Sequence, residues 1–310
     1  GQAEGTDLES YLTGGELSGY FEFRRTVLDP AQDGLGLLAT GLAKTFNDQQ
    51  AKGMDLNGEM GGDLFTVGSP VVLPQVNNSK NASNAFEATF TAAVTTDSVI
   101  PITDAKAADG ATRLVRSDYE IRYDGTNYSA VRLSDQKTLL SSGDLTALNT
   151  ALNQDGLNLT LTGTPVAGDR FLIQPTRQAS ASFGLVITDP TKVAAASPIT
   201  TSASSTNLGS ASISAGTVTD ATNINLQDSI NIQFTANNTY DVIDTTTSTT
   251  LATGVAYNSS TGATISYNGW EVTLSGSPQT GDTFTIKSNQ GGIGDNRNAL
   301  ALVALQTKQQ

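Results

Sequence analysis

Residues 156–175 read GLNLTLTGTPVAGDRFLIQP and residues 269–288 read GWEVTLSGSPQTGDTFTIKS. Nine of the 20 aligned positions are identical: Gly156/Gly269, Thr160/Thr273, Leu161/Leu274, Gly163/Gly276, Pro165/Pro278, Gly168/Gly281, Asp169/Asp282, Phe171/Phe284 and Ile173/Ile286. A fixed offset of 113 with this density of matches is an internal repeat, and internal repeats decide architecture before any local signal does. Each copy reads as strand, Gly-x-Pro turn, Gly-Asp turn, strand. The expected unit is therefore a β-hairpin with a long loop. Tyr119-Glu-Ile against Tyr240-Asp-Val gives a weaker upstream match. The middle of the chain thus reads as two related β-domains.

Outward from the repeat, the texture supports strands. Tyr119-Glu-Ile-Arg-Tyr123, the turn Asp124-Gly125 and Tyr128-Ser-Ala-Val-Arg-Leu133 form a hairpin signal. A short helix is expected over Asp144–Asn153. Of the 310 residues 71 are Ser or Thr, 20 of them between Thr201 and Thr250. Thr suits a half-exposed pleated surface, so this abundance reads as solvated β-faces rather than low complexity. No Lys or Arg occurs between Lys192 and Lys287. The Ser/Thr/Ala stretch 193–219 reads as a junction plus an edge strand.

Both ends of the sequence are helical in pattern. Leu17, Tyr20, Phe21, Arg24, Val27 and Leu28 fall on one face of a helix over about Glu16–Leu28. Asp29-Pro30 offers an N-cap and a first-turn proline. A second helix with the stripe Leu35, Leu38, Leu42, Phe46 then follows, stopped at Gly53 as its C′ residue. The two are expected to lie antiparallel. Asp295 is expected to cap a last helix carrying Ala299, Leu300, Leu302, Val303 and Leu305 and running to Gln310. The expected architecture is α+β and multi-domain. Residues 1–64 and 291–310 form a discontinuous helical base domain, 65–200 a first β-domain and 201–290 a second, outer one.

Composition excludes most chemistry. Without His or Cys there is no N/S metal site, no imidazole base and no disulfide. A formal charge of −13 opposes binding to nucleic acid and to anionic membranes. No stretch is apolar enough to span a bilayer, and the first residues lack the features of a cleavable signal peptide. The sequence opens without Met and reads as the middle of a longer chain. Catalysis would rest on carboxylates, which for glycoside hydrolysis must be held as a pair in one cleft. Asp169 and Asp282 recur, but each sits in a Gly-Asp turn and is expected to bind backbone N–H groups. Asp55-Leu-Asn57-Gly-Glu59 opens like a calcium loop, yet Met60 and Thr66 stand where Gly and Glu are required. Gly291-Gly292-Ile293-Gly294-Asp295 lacks the Lys-Ser/Thr of a phosphate loop. The triplets at Asn77, Asn81, Asn237 and Asn258 carry no weight without a secretory signal. Trp270 is a conceivable sugar platform, although Leu157 occupies its place in the repeat, which favours a core role. No catalytic, cofactor or metal residue is assigned.

Glu16-Leu-Ser-Gly-Tyr-Phe-Glu-Phe-Arg24, Val27-Leu-Asp-Pro-Ala31, Leu42-Ala-Lys-Thr-Phe-Asn47 and Gly53-Met-Asp-Leu-Asn-Gly58 closely resemble the bacterial flagellar hook-associated protein 1 family. Gly294-Asp-Asn-Arg-Asn-Ala-Leu-Ala-Leu-Val-Ala-Leu-Gln306 looks like that family's return into its helical domain, and the repeated segment is similar to its outer domains. One departure is Gln50, where members often carry His, at what is expected to be a helix-surface position. The terminal coiled-coil segments typical of the family are absent. The resemblance implies a structural, non-enzymatic subunit forming the junction between hook and filament. It implies export through the flagellum's own channel to the cell exterior, assembly as a ring of copies, and an export chaperone beforehand. The neighbours would be hook protein on one side and the next hook-associated protein on the other. A chain without the terminal segments is expected to be monomeric. An adhesin-like or carbohydrate-binding extracellular β-module is the alternative.

Overall fold

The computed structural model describes residues 14–66, 68–79, 86–90, 113–292 and 294–307. The chain is α+β and divides into two compact units, Gly1–Lys44 with Phe65–Gly184, and Thr45–Leu64 with Leu185–Gln310. One division point falls inside a long helix. That helix corrects the expected antiparallel pair: Gly15–Phe23, a π turn over Arg24–Leu28 and Asp29–Ala51 follow one another without a break. Asp29 has helical dihedrals (φ −61°, ψ −48°), and its N–H donates to the Arg24 carbonyl five residues back. A proline inside a helix lacks a donor, and its ring crowds the carbonyl four residues earlier. A π turn just before Pro30 widens the backbone there, so the helix absorbs the proline instead of ending at it.

The buried side of Asp29–Ala51 is also unexpected. Asp33, Gly36, Thr40, Ala43, Asn47 and Gln50 are buried, at 3/4 spacing, while Leu35, Leu38 and Leu42 are exposed. The stripe chosen from hydrophobicity is the outer one. In the first unit a Cβ on Gly36 would lie 1.7 Å from the Thr176 carbonyl oxygen, so only glycine permits this approach. Thr176 Oγ1 donates to the Asp33 carbonyl at 3.1 Å. In the second unit, Asn47 Oδ1 accepts the Leu64 N–H and Gln50 Nε2 donates to the Lys192 carbonyl at 3.0 Å. Gln50 is fully buried, which corrects its expected surface position. Gly53 does follow the helix end, but for a different reason than a left-handed cap. A Cβ there would lie 2.5 Å from the Ala194 carbonyl oxygen and 2.1 Å from Asn298 Nδ2.

In the first unit β1 (Val71–Pro74), β3 (Tyr119–Tyr123), β4 (Tyr128–Arg132), β5 (Lys137–Ser142) and β7 (Arg170–Gln174) form one antiparallel sheet in the order β1-β7-β3-β4-β5. β2 (Phe86–Phe90) pairs with β6 (Leu157–Leu161) in a second sheet. Their apolar residues, with Leu148 and Leu152 of the helix Leu145–Asn153, make one core around Tyr119, Ile121, Phe171 and Ile173. The expected hairpin is β3–β4, its turn held by Asp124 accepting from the Thr126 and Asn127 N–H groups. Asp144 caps the expected helix through the Thr146 N–H. Asn149, on that helix, accepts the Leu159 N–H and donates to the Leu159 carbonyl, closing the free edge of β6.

The second unit repeats this plan. β8 (Ile199–Ala203), β11 (Ile230–Ala236), β12 (Thr239–Asp244), β13 (Thr249–Ala256) and β16 (Thr283–Ser288) run in the order β8-β16-β11-β12-β13. Strand for strand, this is the order of the first unit. The other layer holds β9 (Ser212–Ile213), β10 (Thr217–Val218), β14 (Ala263–Tyr267) and β15 (Trp270–Ser275). β14 lies against β15 in place of the helix Leu145–Asn153. Detail is shared as well: β4–β5 skips Leu139 and β12–β13 skips Leu251, while Gln136 and Ser248 both adopt positive φ (54° and 57°) in the preceding turns.

This topology corrects two readings of the repeat. Its two strands do not pair, so it is not a hairpin. β6 and β7 lie in different sheets, as do β15 and β16, and the Gly-x-Pro…Gly-Asp loop is an arch between layers. The partner of Tyr240 in the repeat is Tyr128, at the start of β4, not Tyr119. Tyr119 pairs with Ile173 and so corresponds to Ile230, which pairs with Ile286. The last helix runs Arg297–Ala304 with a 3-10 turn at Leu305–Thr307, and its expected extension to Gln310 lies outside the described residues. Its N-cap is Asn296. Asp295, one residue earlier, accepts the Arg297 N–H at 3.0 Å and the Arg297 guanidinium.

Candidate assembly surface

The residues singled out for chemistry are occupied with structure. Asp169 accepts from the Ser79 N–H at 2.8 Å and the Val166 N–H at 2.8 Å. Asp282 accepts from the N–H groups of Leu208, Gly209 and Gln279 at 2.7, 3.0 and 2.9 Å. Burial pushes the Asp282 carboxyl up, but these three donors outweigh it and hold it below the ordinary carboxylate range. Gly168 and Gly281 precede them at φ 96°, a conformation glycine adopts freely. Each carboxylate therefore stitches the arch to the loop after its unit's first edge strand.

A side chain the sequence reading missed completes the stitch. Asn78 accepts the Arg170 N–H at 2.8 Å and donates to the Arg170 carbonyl at 2.7 Å. Asn207 does the same to Thr283 at 2.8 and 3.0 Å. Its sequence signal was an Asn shortly after each edge strand, hidden because the spacing to the repeat differs between the two copies.

Asp55 accepts the Asn57 and Glu59 N–H groups at 2.8 and 3.0 Å and meets Lys192 Nζ at 3.3 Å, closing its own loop. Trp270 is fully buried in the second core and cannot stack on a sugar. Among the described residues no cluster of three carboxylates could hold a metal ion, and no helix is long and apolar enough to cross a membrane.

What the first unit does present is an apolar helix surface. No residue of Gly15–Phe23 or Arg24–Leu28 is buried. Tyr20, Phe23, Leu35 and Leu38 are 63, 57, 59 and 68% exposed, with Val27, Leu28 and Leu42 beside them. Single exposed apolar residues are ordinary, but a run of this length along one helix marks an interaction site. The two sides of the helix thus differ, the small polar side packing within its own chain and the apolar side lying exposed among the described residues.

Arg177 fixes the inner side. Its guanidinium meets Asp29 at 3.2 Å, Asp33 at 3.1 Å and Asp118 at 2.6 Å, so one cation ties two helix residues to the lead-in of β3. These groups line a cleft of about 480 Å³ with Arg25, Arg116 and Ser134. Burial, then the nearby Asp33 carboxylate, pushes the Asp118 carboxyl up to about 6, with Arg177 pulling the other way. Asp118 Oδ1 is buried without a hydrogen-bond partner. Neither Arg177 nor Asp118 carries a sequence signal, since the cluster joins residues remote along the chain.

Known proteins resemble the chain over most of its length. A sequence profile described as the flagellar hook-associated protein FlgK helical domain matches residues 1–65. One described as the flagellar hook-associated protein 1 D2-like domain matches residues 76–175. Flagellar hook-associated protein 1 of Escherichia coli (strain K12) is 35% identical over 190 residues, 61% of this chain and 30% of that protein. The protein of the same description from Salmonella typhimurium (strain LT2) is 33% identical over 189 residues, 61% of this chain and 30% of that protein. The solved structure of the flagellar hook junction protein FlgK from Burkholderia pseudomallei superposes with a TM-score of 0.73 at 31% identity, covering 95% of this chain and 54% of that one. The chain thus spans about three tenths of the length of the first two relatives and about half of the third.

Proposed function

Because the chain belongs to the flagellar hook-associated protein 1 family, we propose that it is the central part of a structural, non-catalytic subunit joining hook to filament in the bacterial flagellum. The observation that carries the reading is the two-sided helix. Its inner side is polar and small and is closed by Arg177 and Gly36, whereas its outer side is an apolar surface left exposed among the described residues. A building block needs folded units and an exposed apolar face, and the described residues supply both.

In this reading the subunit is exported by the flagellar secretion route and acts outside the cell. It stacks as a ring of copies, with hook protein on one side and the next hook-associated protein on the other, after release from an export chaperone. By role, 1–64 with 291–310 serves as the helical base, 65–200 as the first β-domain and 201–290 as the second, outer one. Support for a base drawn from both ends of the chain is the bond from Gln49 Nε2 to Asn298 Oδ1, 2.7 Å, inside the second compact unit. The buried Trp270 speaks against the sugar-binding alternative.

The test is complementation. This chain, extended with the regions of the Escherichia coli relative that lie outside the match, is expressed in a motile strain lacking its own junction protein. Restored filaments and swimming are expected. Export without filament formation would refute the reading.

A further inference from the structure

One acceptor in the first unit is left over after its neighbours are satisfied. Arg177 stands among three carboxylates, with Asp29 Oδ2 at 3.2 Å, Asp33 Oδ1 at 3.1 Å and Asp118 Oδ2 at 2.6 Å. One guanidinium does not balance three such charges. Asp33 places both oxygens on it, at 3.1 and 3.3 Å. Asp29 Oδ1 reaches outward to the exposed Arg24, whose Nε is 3.5 Å away. Asp118 Oδ2 also accepts from Gln174 Nε2 at 3.3 Å, whereas its Oδ1 is buried with no hydrogen-bond partner. A buried acceptor without a donor carries its full desolvation cost, and a charged one carries more.

Asp118 lines the cleft described above, which is also walled by Arg25, Thr26, Arg116, Ser134 and Gln136. Those five residues are exposed, so the cleft opens to solvent. Its two rim cations are directed elsewhere. Arg25 Nη2 is 2.6 Å from Glu22 Oε2, and Arg116 lies along the helix at Gly34, its Cδ 3.6 Å from the place of a Cβ there. The group that fits the spare acceptor is a cation with N–H donors. A guanidinium suits a desolvated carboxylate better than an ammonium does, being planar and more weakly hydrated, and its bonds to carboxylate are charge-assisted. We propose that this cleft is a receptor site for an arginine side chain of a partner chain, with Asp118 as its acceptor. The terminal torsion of Asp is soft, so a small turn of the carboxylate brings Oδ1 to the incoming donor while Oδ2 keeps Arg177. Asp29 and Asp33 supply the surrounding negative potential. A cleft of about 480 Å³ takes such a side chain with room for water. The inference is independent of the junction reading, which rests on the apolar side of the helix.

In the test, N-acetyl-L-arginine amide, which carries one positive charge, is titrated into the 310-residue chain. Nuclear magnetic resonance follows the Arg177 Nε–H and the Asp118 amide. Saturable millimolar binding is expected, with the neutral isostere N-acetyl-citrulline amide about tenfold weaker and the lysine amide about threefold weaker. Proton uptake by Asp118, whose carboxyl is pushed up to about 6, competes with the cation, so affinity should fall about tenfold from about pH 7.5 to 5. The other charged groups facing Asp118 are Arg177, Asp29 and Asp33, with Arg25 and Arg116 at the mouth. Asp118→Asn assigns the pH dependence: binding should weaken about tenfold and become flat with pH. Ser134→Tyr fills the mouth without touching Asp118 and should also remove binding, which keeps the test decisive if D118N folds poorly. No saturable binding below about 50 mM overturns the proposal. So do equal binding of the citrulline or lysine amide, unchanged binding in both variants, and a preference for N-acetyl-aspartate amide, which would make the rim arginines the site. Sedimentation of the chain at millimolar concentration separates the sources of the arginine. A dimer that Ser134→Tyr abolishes assigns it to a second copy, and a monomer that binds the arginine amide assigns it to another protein.

Discussion

Gly34 and Gly36 lie two residues apart in the same helix and should respond to alanine in opposite directions. In a helix interior Ala is better than Gly by about 1 kcal/mol. At Gly34 the new Cβ would lie 3.6 Å from Arg116 Cδ, an ordinary contact, so most of that gain survives and Gly34→Ala stabilises by about 0.5–1 kcal/mol. At Gly36 it would lie 1.7 Å from the Thr176 carbonyl oxygen and 2.6 Å from its carbonyl carbon. Backbone cannot be turned aside like a side chain end, so the helix must move away. Overpacking of this kind costs about 1–3 kcal/mol. The retreat also weakens the Thr176–Asp33 bond and the Arg177 contacts that depend on the same approach. The net expectation is a loss of about 2 kcal/mol, placing the two variants about 3 kcal/mol apart. For a unit of this size that is roughly 6–12 °C in melting temperature. Thermal and urea unfolding followed by circular dichroism, with both variants in one buffer, reads the difference. If Gly36→Ala is as stable as Gly34→Ala, the close approach is wrong, and with it the assignment of the helix's inner side.

Three further outcomes follow from the contacts. Asp118 is held at about 6 against an ordinary 3.8, so the folded state keeps its proton more tightly than the unfolded one. Its contribution is full below about pH 4 and is lost as pH rises through 6, a loss on the order of 3 kcal/mol by pH 7. Asp55, Asp282 and Asp295 are held low and act in the opposite sense, below pH 4, so from 4 to 7 the raised groups dominate, Asp118 and the less buried Asp228 beside Asp244. Urea midpoints should fall across that window in the parent and fall much less in Asp118→Asn, and parallel profiles would sink the assignment. Asn207→Ala removes two bonds to the Thr283 backbone and should cost about 2 kcal/mol, with faster hydrogen exchange at the Thr283 amide. Asn78→Ala should cost a similar amount at Arg170, and the double variant should be additive because the two sites share no partner.

Helical periodicity, the β3–β4 hairpin with its Asp124 turn, the cap at Asp144, the core place of Trp270 and the kinship of the two β-regions were all legible along the chain. Each depends on residues close in sequence, or on a pattern repeated within it. The backbone-binding roles of Asp169 and Asp282 were also legible, because a Gly-Asp turn constrains its own side chain. Local pattern, however, gives a period and not a neighbour. The repeat announced two strands and could not say that they enter different sheets, because partners such as β2 for β6 and β8 for β16 lie tens of residues away along the chain. The leucines of Asp29–Ala51 announced a helix, yet its buried side is the one with Asp33, Gly36 and Asn47, since close backbone approach and the Arg177 cluster outweigh hydrophobicity there. Pro30 looked like a helix start, and the π turn made it an interior residue. By itself the sequence determined the helical and strand character of each region, the duplication and the family, and it removed histidine and cysteine chemistry. Only the tertiary structure decided which faces are spent on the chain's own packing and which are left exposed, because burial belongs to all the residues that meet at a place and not to any segment alone.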